Sequence, residues 1–214
     1  MNFTACSIPY RQTKSFSKLS VDYVEGADAL KPFYTYAPNL HGIKEAIAQR
    51  KKYKVNRQGL VAQLQSQYTG KTLSPKATAN IEQLLSENTF TITTAHQPNI
   101  FTGHLYFIYK IIHAIKLADE LKKQFPGYHF VPVYFMGSED ADLEELGTIT
   151  VQGKIYTWAT HQKGAVGRMV IDEKFLALIH ELEAQLGVEK YGPEILAKLK
   201  QAYTKGKTIE LATF

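Results

Sequence analysis

The feature that most constrains the fold is a strand–helix–strand pattern over residues 89–136. Thr89 to Ala95 is rich in β-forming residues, and Phe130 to Met136 is almost entirely apolar, as in a parallel strand covered on both faces. Between them, Leu105 to Phe125 carries apolar residues at helical spacing, and Pro126-Gly127 predicts where the helix ends. This order predicts a βαβ unit, and therefore an α/β fold with a parallel sheet and flanking helices. The predicted buried face of the helix consists of Phe107, Ile108, Ile111, Ile112, Ile115 and Leu121.

The rest of the chain is predicted to surround this core. Residues 1–40 are rich in turn formers and aromatic residues and include two prolines that oppose a long helix, so we expect an extended N-terminal arm. Residues 41–88 have a helical pattern, with one helix starting at Ser74-Pro75. Residues 89–214 form the βαβ-based core. We expect residues 1–214 to be a single α/β unit of this composition.

The end of the chain predicts that more protein follows. Residues 208–214 have the pattern of an amphipathic helix that stops without a cap, and a βαβ-based sheet is expected to contain further strands. We therefore expect the chain to be truncated, an N-terminal fragment of a longer protein. Contacts that form a homo-oligomer are expected in the missing C-terminal part.

Composition excludes several classes of protein. No apolar run approaches the roughly 18 residues that span a bilayer, so no membrane partner is expected. The first residues lack the pattern of a secretory signal. Cys6 is the single cysteine, which excludes an intrachain disulfide framework and a cysteine-based metal site. Together these features predict a cytoplasmic protein without a resident metal.

The net charge of +5 raises the question of nucleic acid. Five of the 25 lysine and arginine residues lie in one cluster: Arg50, Lys51, Lys52, Lys54 and Arg57. Charge runs on helices are usually solvated faces, and only Tyr53 supplies an interleaved aromatic ring. We do not expect nucleic acid as a partner, and the charge equally fits a small anionic substrate.

The first candidate site lies where the first strand meets the long helix. It comprises His96, Pro98, Asn99, Thr102, Gly103 and His104. Gly103 permits close backbone approach, and the helix N-terminus favours a phosphate group. An imidazole such as His104 can donate to phosphate oxygens and stabilise developing charge. The alternative is that both histidines are structural and make only local hydrogen bonds.

The second candidate site follows the apolar strand, at the sheet edge where open α/β proteins bind ligands. It contains five carboxylates: Glu139, Asp140, Asp142, Glu144 and Glu145. They could bind Mg²⁺, hold a substrate amine or act as a general base. The alternative is an acidic helix N-terminus capped by Ser138 or Asp140, an interpretation we favour for Glu144 and Glu145 only.

The third candidate site is the glycine-bracketed loop Gly164-Ala-Val-Gly-Arg168. Arg168 could bind a carboxylate or phosphate through two parallel hydrogen bonds. The alternative is a simple surface turn.

Several of these motifs resemble one family. The segments are Phe16 to Tyr23, Leu30 to Tyr34, Thr94 to Lys110, Val131 to Glu145 and the Gly167-Arg168 pair. They are similar to motifs of the bacillithiol biosynthesis cysteine-adding enzymes, whose members are considerably longer. The resemblance implies a Rossmann-like core related to class I aminoacyl-tRNA synthetases and nucleotidyltransferases. It also implies a ligase that joins cysteine to glucosaminyl-malate through an amide bond.

This resemblance and the candidate sites together predict a division of roles. The nucleotide, ATP or ADP, is expected at His96, Asn99, Thr102, Gly103 and His104. The catalytic residues are expected to be His104, Glu139, Asp140 and Asp142, while Arg168 binds a substrate carboxylate. A requirement for Mg²⁺ stays open. Two alternatives also stay open: an RNA-linked nucleotidyltransferase or synthetase relative, and a non-catalytic nucleotide-binding module.

Overall fold

The computed structural model describes residues 4–214, and in that range the chain forms ten α-helices and four β-strands. The helices are α1 (Tyr10–Thr13), α2 (Lys18–Glu25), α3 (Leu40–Arg50), α4 (Arg57–Gln67), α5 (Pro75–Gln83), α6 (Leu105–Gln124), α7 (Leu143–Leu146), α8 (Glu173–Leu186), α9 (Gly192–Ala202) and α10 (Ile209–Thr213). The strands are β1 (Thr89–His96), β2 (His129–Met136), β3 (Thr148–Val151) and β4 (Lys154–Thr157). Short 3-10 turns lie at Asp28–Phe33, Ile100–Thr102 and Val166–Arg168.

The chain divides into two compact units, with the boundary between Gln67 and Tyr68. The first unit contains α1 to α4, and the second contains α5 to α10 together with β1 to β4. This boundary does not coincide with the expected divisions at residues 40 and 88. All three candidate sites belong to the second unit.

The segment predicted to be an extended arm contains helices. Ser17 starts α2 by accepting a hydrogen bond from the Ser20 backbone N–H, and Gly26 ends it in the left-handed conformation. Even Pro32 is accommodated, because it lies inside the 3-10 turn Asp28–Phe33. An extended conformation throughout residues 1–40 was therefore the wrong expectation for the described part of this segment.

The predicted βαβ unit is confirmed. β1 and β2 pair in parallel, with Thr89 opposite His129 and His96 opposite Met136. Helix α6 connects them and packs against both strands. The two strands therefore end side by side, which brings the segments that follow them to one edge of the sheet.

The burial of this unit differs from expectation. The buried residues of α6 are Phe107, Ala114, Ala118 and Leu121, whereas Ile108, Ile112 and Ile115 are exposed. Small alanine side chains let the helix backbone approach the strands, so Ile108, Ile112 and Ile115 lie at the side of the buried face and are exposed. Among the described residues β2 is not covered along its whole length either, because Phe135 is 58% exposed.

A second layer is packed much more tightly. The dipeptide Gln152-Gly153 between two short apolar segments predicts a hairpin, and strands β3 and β4 form it. Both turn residues have positive φ. Trp158 and Phe175 are fully buried beside it. Asp172 ties the layer together, because one carboxylate oxygen accepts from Trp158 Nε1 at 2.9 Å and from the Phe175 backbone N–H at 2.9 Å.

The basic cluster lies in the first unit, at the end of α3 and the start of α4. The Arg50 guanidinium lies 5.5 Å from the centre of the Tyr53 ring. No helix within residues 4–214 is long and apolar enough to cross a membrane.

Candidate functional site

The loop after β1 has an unusual backbone. Phe101, Thr102 and Gly103 have φ values of 50°, 70° and 61°, and left-handed conformations are uncommon for residues other than glycine. The Phe101 backbone N–H donates to the Tyr203 hydroxyl oxygen at 3.0 Å. The centre of the Phe101 ring lies 4.8 Å from the centre of the Phe175 ring. The buried aromatic layer therefore holds this loop in a strained conformation, which is typical of functional sites.

Asn99 lies beneath this loop with unsatisfied hydrogen-bonding groups. Its side chain is 1% exposed, and neither amide atom has a hydrogen-bond partner among the described residues. Gly103 packs directly on it, since a Cβ atom at Gly103 would lie 2.4 Å from Asn99 Cβ. An unpaired buried amide costs about 1–3 kcal/mol.

The N-terminus of α6 follows directly. His104 precedes the helix in an extended conformation, and its side chain makes no capping hydrogen bond. By contrast, Ser17, Ser74 and Asp172 cap the helices that follow them. The Phe107 N–H donates to the His104 carbonyl oxygen at 3.0 Å, so only the N–H groups of Leu105 and Tyr106 are available to an anion at the start of this 20-residue helix, where the helix dipole also favours one.

His96 and His104, the two histidines of the first predicted site, both contact Tyr106. His104 stacks on the Tyr106 ring with 5.5 Å between ring centres, and His96 Nε2 lies 2.8 Å from the Tyr106 hydroxyl oxygen. That hydroxyl donates to Glu145 Oε1 at 3.0 Å. A second tyrosine, Tyr134, donates to the His96 carbonyl oxygen at 2.8 Å, and its partial burial raises the pKa of its hydroxyl to about 12.

The acidic segment after β2 is joined to the first loop. Gln97 Nε2 donates to Asp140 Oδ2 at 2.8 Å, and this hydrogen bond is the main reason that the pKa of Asp140 is lowered. Asp142 caps α7 by accepting from the Glu145 backbone N–H at 3.1 Å, a role that the sequence had suggested for Ser138 or Asp140. Glu139 is exposed. Asp140 and Asp142 therefore already have structural partners.

The third predicted cluster lies against the second. A Cβ atom at Gly167 would be 2.5 Å from the Ser138 carbonyl oxygen, so only glycine permits this approach. The Val166 backbone N–H also donates to the Asp140 carbonyl oxygen at 2.8 Å. Arg168 follows with an exposed side chain. The structure thus brings together the backbone of all three predicted clusters, while residues 4–214 contain no group of three or more potential metal ligands.

Sequence reasoning missed several residues that build this site. Lys110 Nζ donates to the Ala95 carbonyl oxygen at 2.5 Å, which places a positive charge at the end of β1. Tyr106 and Lys110 are four residues apart on α6 and therefore share one face, a spacing that could have indicated them. Gln97 and Tyr203 carried no such signal, because their partners are distant in sequence.

A parallel βαβ unit, with the loop Asn99–His104 after the carboxyl end of its first strand, is typical of a Rossmann-like α/β domain. The family model for the bacillithiol biosynthesis BshC N-terminal Rossmann-like domain matches residues 1–214. The chain therefore belongs to the BshC family, as the resemblance of its motifs implied.

Individual relatives agree with this assignment. A protein of Flavobacterium psychrophilum named "Putative cysteine ligase BshC" is 39% identical over 96% of the chain. One of the same name from Cytophaga hutchinsonii is 40% identical over 99% of it. The chain spans 39% and 38% of the length of these two relatives. The match therefore concerns the Rossmann-like domain rather than a whole relative.

Proposed function

We propose that this chain forms the nucleotide-binding part of a cytoplasmic ligase that joins cysteine to glucosaminyl-malate in bacillithiol biosynthesis. ATP or ADP binds at the loop Asn99–His104, with its phosphates at the N-terminus of α6. The observation that carries this proposal is Asn99, whose buried amide lacks a described partner directly beneath Gly103. The names of the relatives support the ligase reaction.

The chemistry of the loop suits phosphate. The Leu105 and Tyr106 N–H groups and the dipole of α6 attract negative charge, and His104 can donate to a phosphate oxygen. Lys110 contributes a positive charge less than two turns beyond His104 on the same helix. The nucleotide activates the cysteine carboxyl group, because amide formation ordinarily requires a better leaving group than hydroxide.

The substrates then lie toward the acidic segment and Arg168. Glu139 is exposed and orients an amino group, whereas Asp140 and Asp142 hold the segment in place through the hydrogen bonds described above. Arg168 extends from the loop that packs on Ser138 and pairs with a carboxylate of malate or cysteine. A family model named for bacillithiol biosynthesis, together with relatives named as cysteine ligases, favours this function over an RNA-linked transferase.

Calorimetry tests the nucleotide site. We expect saturable binding of ATP or ADP with Mg²⁺, weakened about tenfold by His104→Ala, which corresponds to about 1.4 kcal/mol. The matched control is His113→Ala, since His113 is exposed on the same helix, two turns beyond its start. Equal affinities for the two variants would remove His104 from the site, and the absence of saturable binding by the unmodified chain would refute a self-contained nucleotide site.

An activity assay tests the reaction. The full-length protein is incubated with cysteine, glucosaminyl-malate and ATP, and the amide product is detected by mass spectrometry. We expect product formation with stoichiometric ATP cleavage, and a kcat reduced about 100-fold by His104→Ala. Nucleotide binding without product would favour a non-catalytic nucleotide-binding module instead.

A further inference from the structure

One side-chain hydrogen bond joins the segments that follow the two parallel strands. Gln97 comes directly after β1, and its Nε2 atom donates at 2.8 Å to Asp140 Oδ2, in the segment after β2. The Gln97 side chain also lies beside Gly137, because a Cβ atom there would be 3.8 Å from Gln97 Cγ. Gln97 and Asp140 are 43 positions apart in sequence, so the bond connects the two segments across the end of the sheet.

The chemistry of the two groups fixes which atoms meet. The hydrogen bond from Gln97 and the one from the Asp142 backbone N–H lower the pKa of Asp140, so its carboxyl group is ionised at neutral pH. A carboxylate can only accept hydrogen bonds, so the Gln97 amide must present its nitrogen rather than its oxygen. Hydrogen bonds to a charged acceptor are stronger than those between neutral groups.

Asp140 also holds two further segments. Its Oδ1 atom accepts from the Asp142 backbone N–H at 3.0 Å, at the start of α7. Its carbonyl oxygen accepts from the Val166 backbone N–H at 2.8 Å, two residues before Arg168. Glu139, its direct neighbour, has an exposed side chain. Asp140 therefore fixes the backbone next to both side chains that are proposed to bind the substrates.

The other end of the bond is held to the loop that is proposed to bind the nucleotide. The Gln97 carbonyl oxygen accepts from the Asn99 backbone N–H at 3.1 Å, at the first residue of the loop Asn99–His104. Pro98 lies between them, is buried, and has a fixed φ because of its ring. The Gln97 side chain therefore extends from a short turn that continues directly into the nucleotide loop.

We infer that Gln97 and Asp140 are positioning residues that set how the nucleotide loop lies relative to the substrate-binding side chains Glu139 and Arg168. The inference rests on the proposed function, in which the activated carboxyl group and the amino group are bound by the two segments that this hydrogen bond joins. A displacement of about 1 Å between reacting groups can lower a rate about 100-fold. Asp140 thus takes a positioning role in place of the catalytic role that the sequence predicted.

Backbone amide hydrogen exchange, followed by nuclear magnetic resonance, tests the inference without nucleotide or substrate. Gln97→Ala removes the donor, so we expect the N–H groups of Asp142 and Val166 to exchange about tenfold faster. The matched control is Gln124→Ala, because Gln124 Nε2 donates to Glu120 Oε1 at 2.9 Å, the same pair of groups, at the far end of α6. Exchange in Gln97→Ala at the rate of the unmodified chain would overturn the inference.

Exchanging the two groups tests the hydrogen bond more sharply. Gln97→Glu places two carboxylates against each other at neutral pH, so amide exchange should rise as it does in Gln97→Ala. Adding Asp140→Asn restores the bond in reverse, because the new amide nitrogen donates to the new carboxylate while the amide oxygen still accepts from the Asp142 N–H. Amide exchange should then return to the unmodified rate. A double variant that exchanges as fast as Gln97→Glu would contradict the inference.

Turnover by the full-length enzyme tests the positioning role itself. We expect Gln97→Glu to lower kcat about 100-fold with the KM for cysteine unchanged, and the double variant to recover at least about tenfold. Asp140→Asn should lower kcat far less than Asp140→Ala, because the Gln97 amide can turn and accept from the new amide nitrogen. Equal losses in the two Asp140 variants, without recovery in the double variant, would give the Asp140 charge a direct catalytic role and overturn the inference.

The two measurements separate this inference from the proposed function. If the unmodified enzyme forms no product, the proposed ligase reaction fails, while the amide exchange rates still decide whether the hydrogen bond holds the two segments. If product forms but Gln97→Ala leaves amide exchange and kcat unchanged, the ligase reaction stands and the inference fails. Gln124→Ala should leave both measurements at their unmodified values.

Discussion

The two layers of the second unit differ in how completely they bury their apolar side chains. In the hairpin-and-helix layer, Trp158 and Phe175 are fully buried, and the aromatic rings around them are in mutual contact. In the βαβ layer, Ile112 is 54% exposed and Phe135 is 58% exposed. The candidate loop belongs to both, since Phe101 packs in the first layer while His104 starts the helix of the second. The well-packed layer therefore holds one end of the loop, while His104 at its other end belongs to the more exposed layer.

The comparison predicts its largest effect at Phe175. Phe175→Ala removes a fully buried ring that contacts Trp158, Tyr203 and Phe101, so the free energy of unfolding should fall by about 3–5 kcal/mol. The matched substitution in the open layer, Phe135→Ala, should cost less than about 1 kcal/mol. Urea unfolding followed by the fluorescence of Trp158 measures both. Similar losses would mean that the two layers are equally packed.

A smaller effect is expected at Gly103, where the two layers meet. Gly103→Ala places a Cβ atom against Asn99 in a backbone region that only glycine readily adopts, and the free energy of unfolding should fall by about 2–4 kcal/mol. Gly127→Ala is the control, because a Cβ atom there meets nothing within 4 Å. The same unfolding assay applies. If the two substitutions cost the same, the loop is free to rearrange and is not held by the packed layer.

The hydroxyl of Tyr203 is the next test. Tyr203→Phe leaves the Phe101 backbone N–H without its described acceptor, so the free energy of unfolding should fall by about 1–2 kcal/mol. Tyr191→Phe, at the other end of α9, removes a hydroxyl from a residue that is 61% exposed and should have little effect. Calorimetry should also show weaker nucleotide binding for Tyr203→Phe alone. Unchanged nucleotide affinity in both variants would mean that the hydrogen bond from Phe101 to Tyr203 does not contribute to nucleotide binding.

Local sequence signals predicted the positions of helices and turns better than they predicted the packing between these elements. The ends of α6 and the Gln152-Gly153 hairpin follow from periodicity and turn chemistry, which neighbouring residues determine. The positive φ of Phe101 could not be predicted, because it opposes local preference and depends on a partner 102 residues later. The predicted buried face of α6 was right at Phe107 and Leu121 and wrong at Ile108, Ile112 and Ile115, because isoleucine and alanine both fit an apolar stripe and only packing against the strands decides between them.

In the candidate site, too, local signals identified residues that contacts between distant elements did not. His104 and Gly103 were identified because they lie at a predicted strand-to-helix junction. The contact between Tyr106 and Glu145 was not, because these residues are 39 positions apart and belong to different elements. Glu145 had been interpreted only as a helix N-terminal charge. Pairings between elements are therefore where the structure adds most to the sequence.

The smallest effect we expect is a dependence of stability on pH in the packed layer. Burial raises the pKa of Asp172, but the hydrogen bonds from Trp158 Nε1 and the Phe175 backbone N–H outweigh it and lower the pKa overall. Because the folded-state pKa is lower than the unfolded value of about 3.9, the stabilisation is fully present above that pH and is lost as the pH falls through the folded-state pKa.

Asp172→Asn tests this dependence. The difference in the free energy of unfolding between the unmodified chain and the variant should be constant from neutral pH down to about pH 4 and then narrow as the pH falls further. Glu144→Gln provides the control, because Glu144 is an exposed carboxylate of the same unit. A difference that widens on acidification would mean that burial dominates at Asp172. The hydrogen bonds to Asp172 would then not explain how the free energy of unfolding depends on pH.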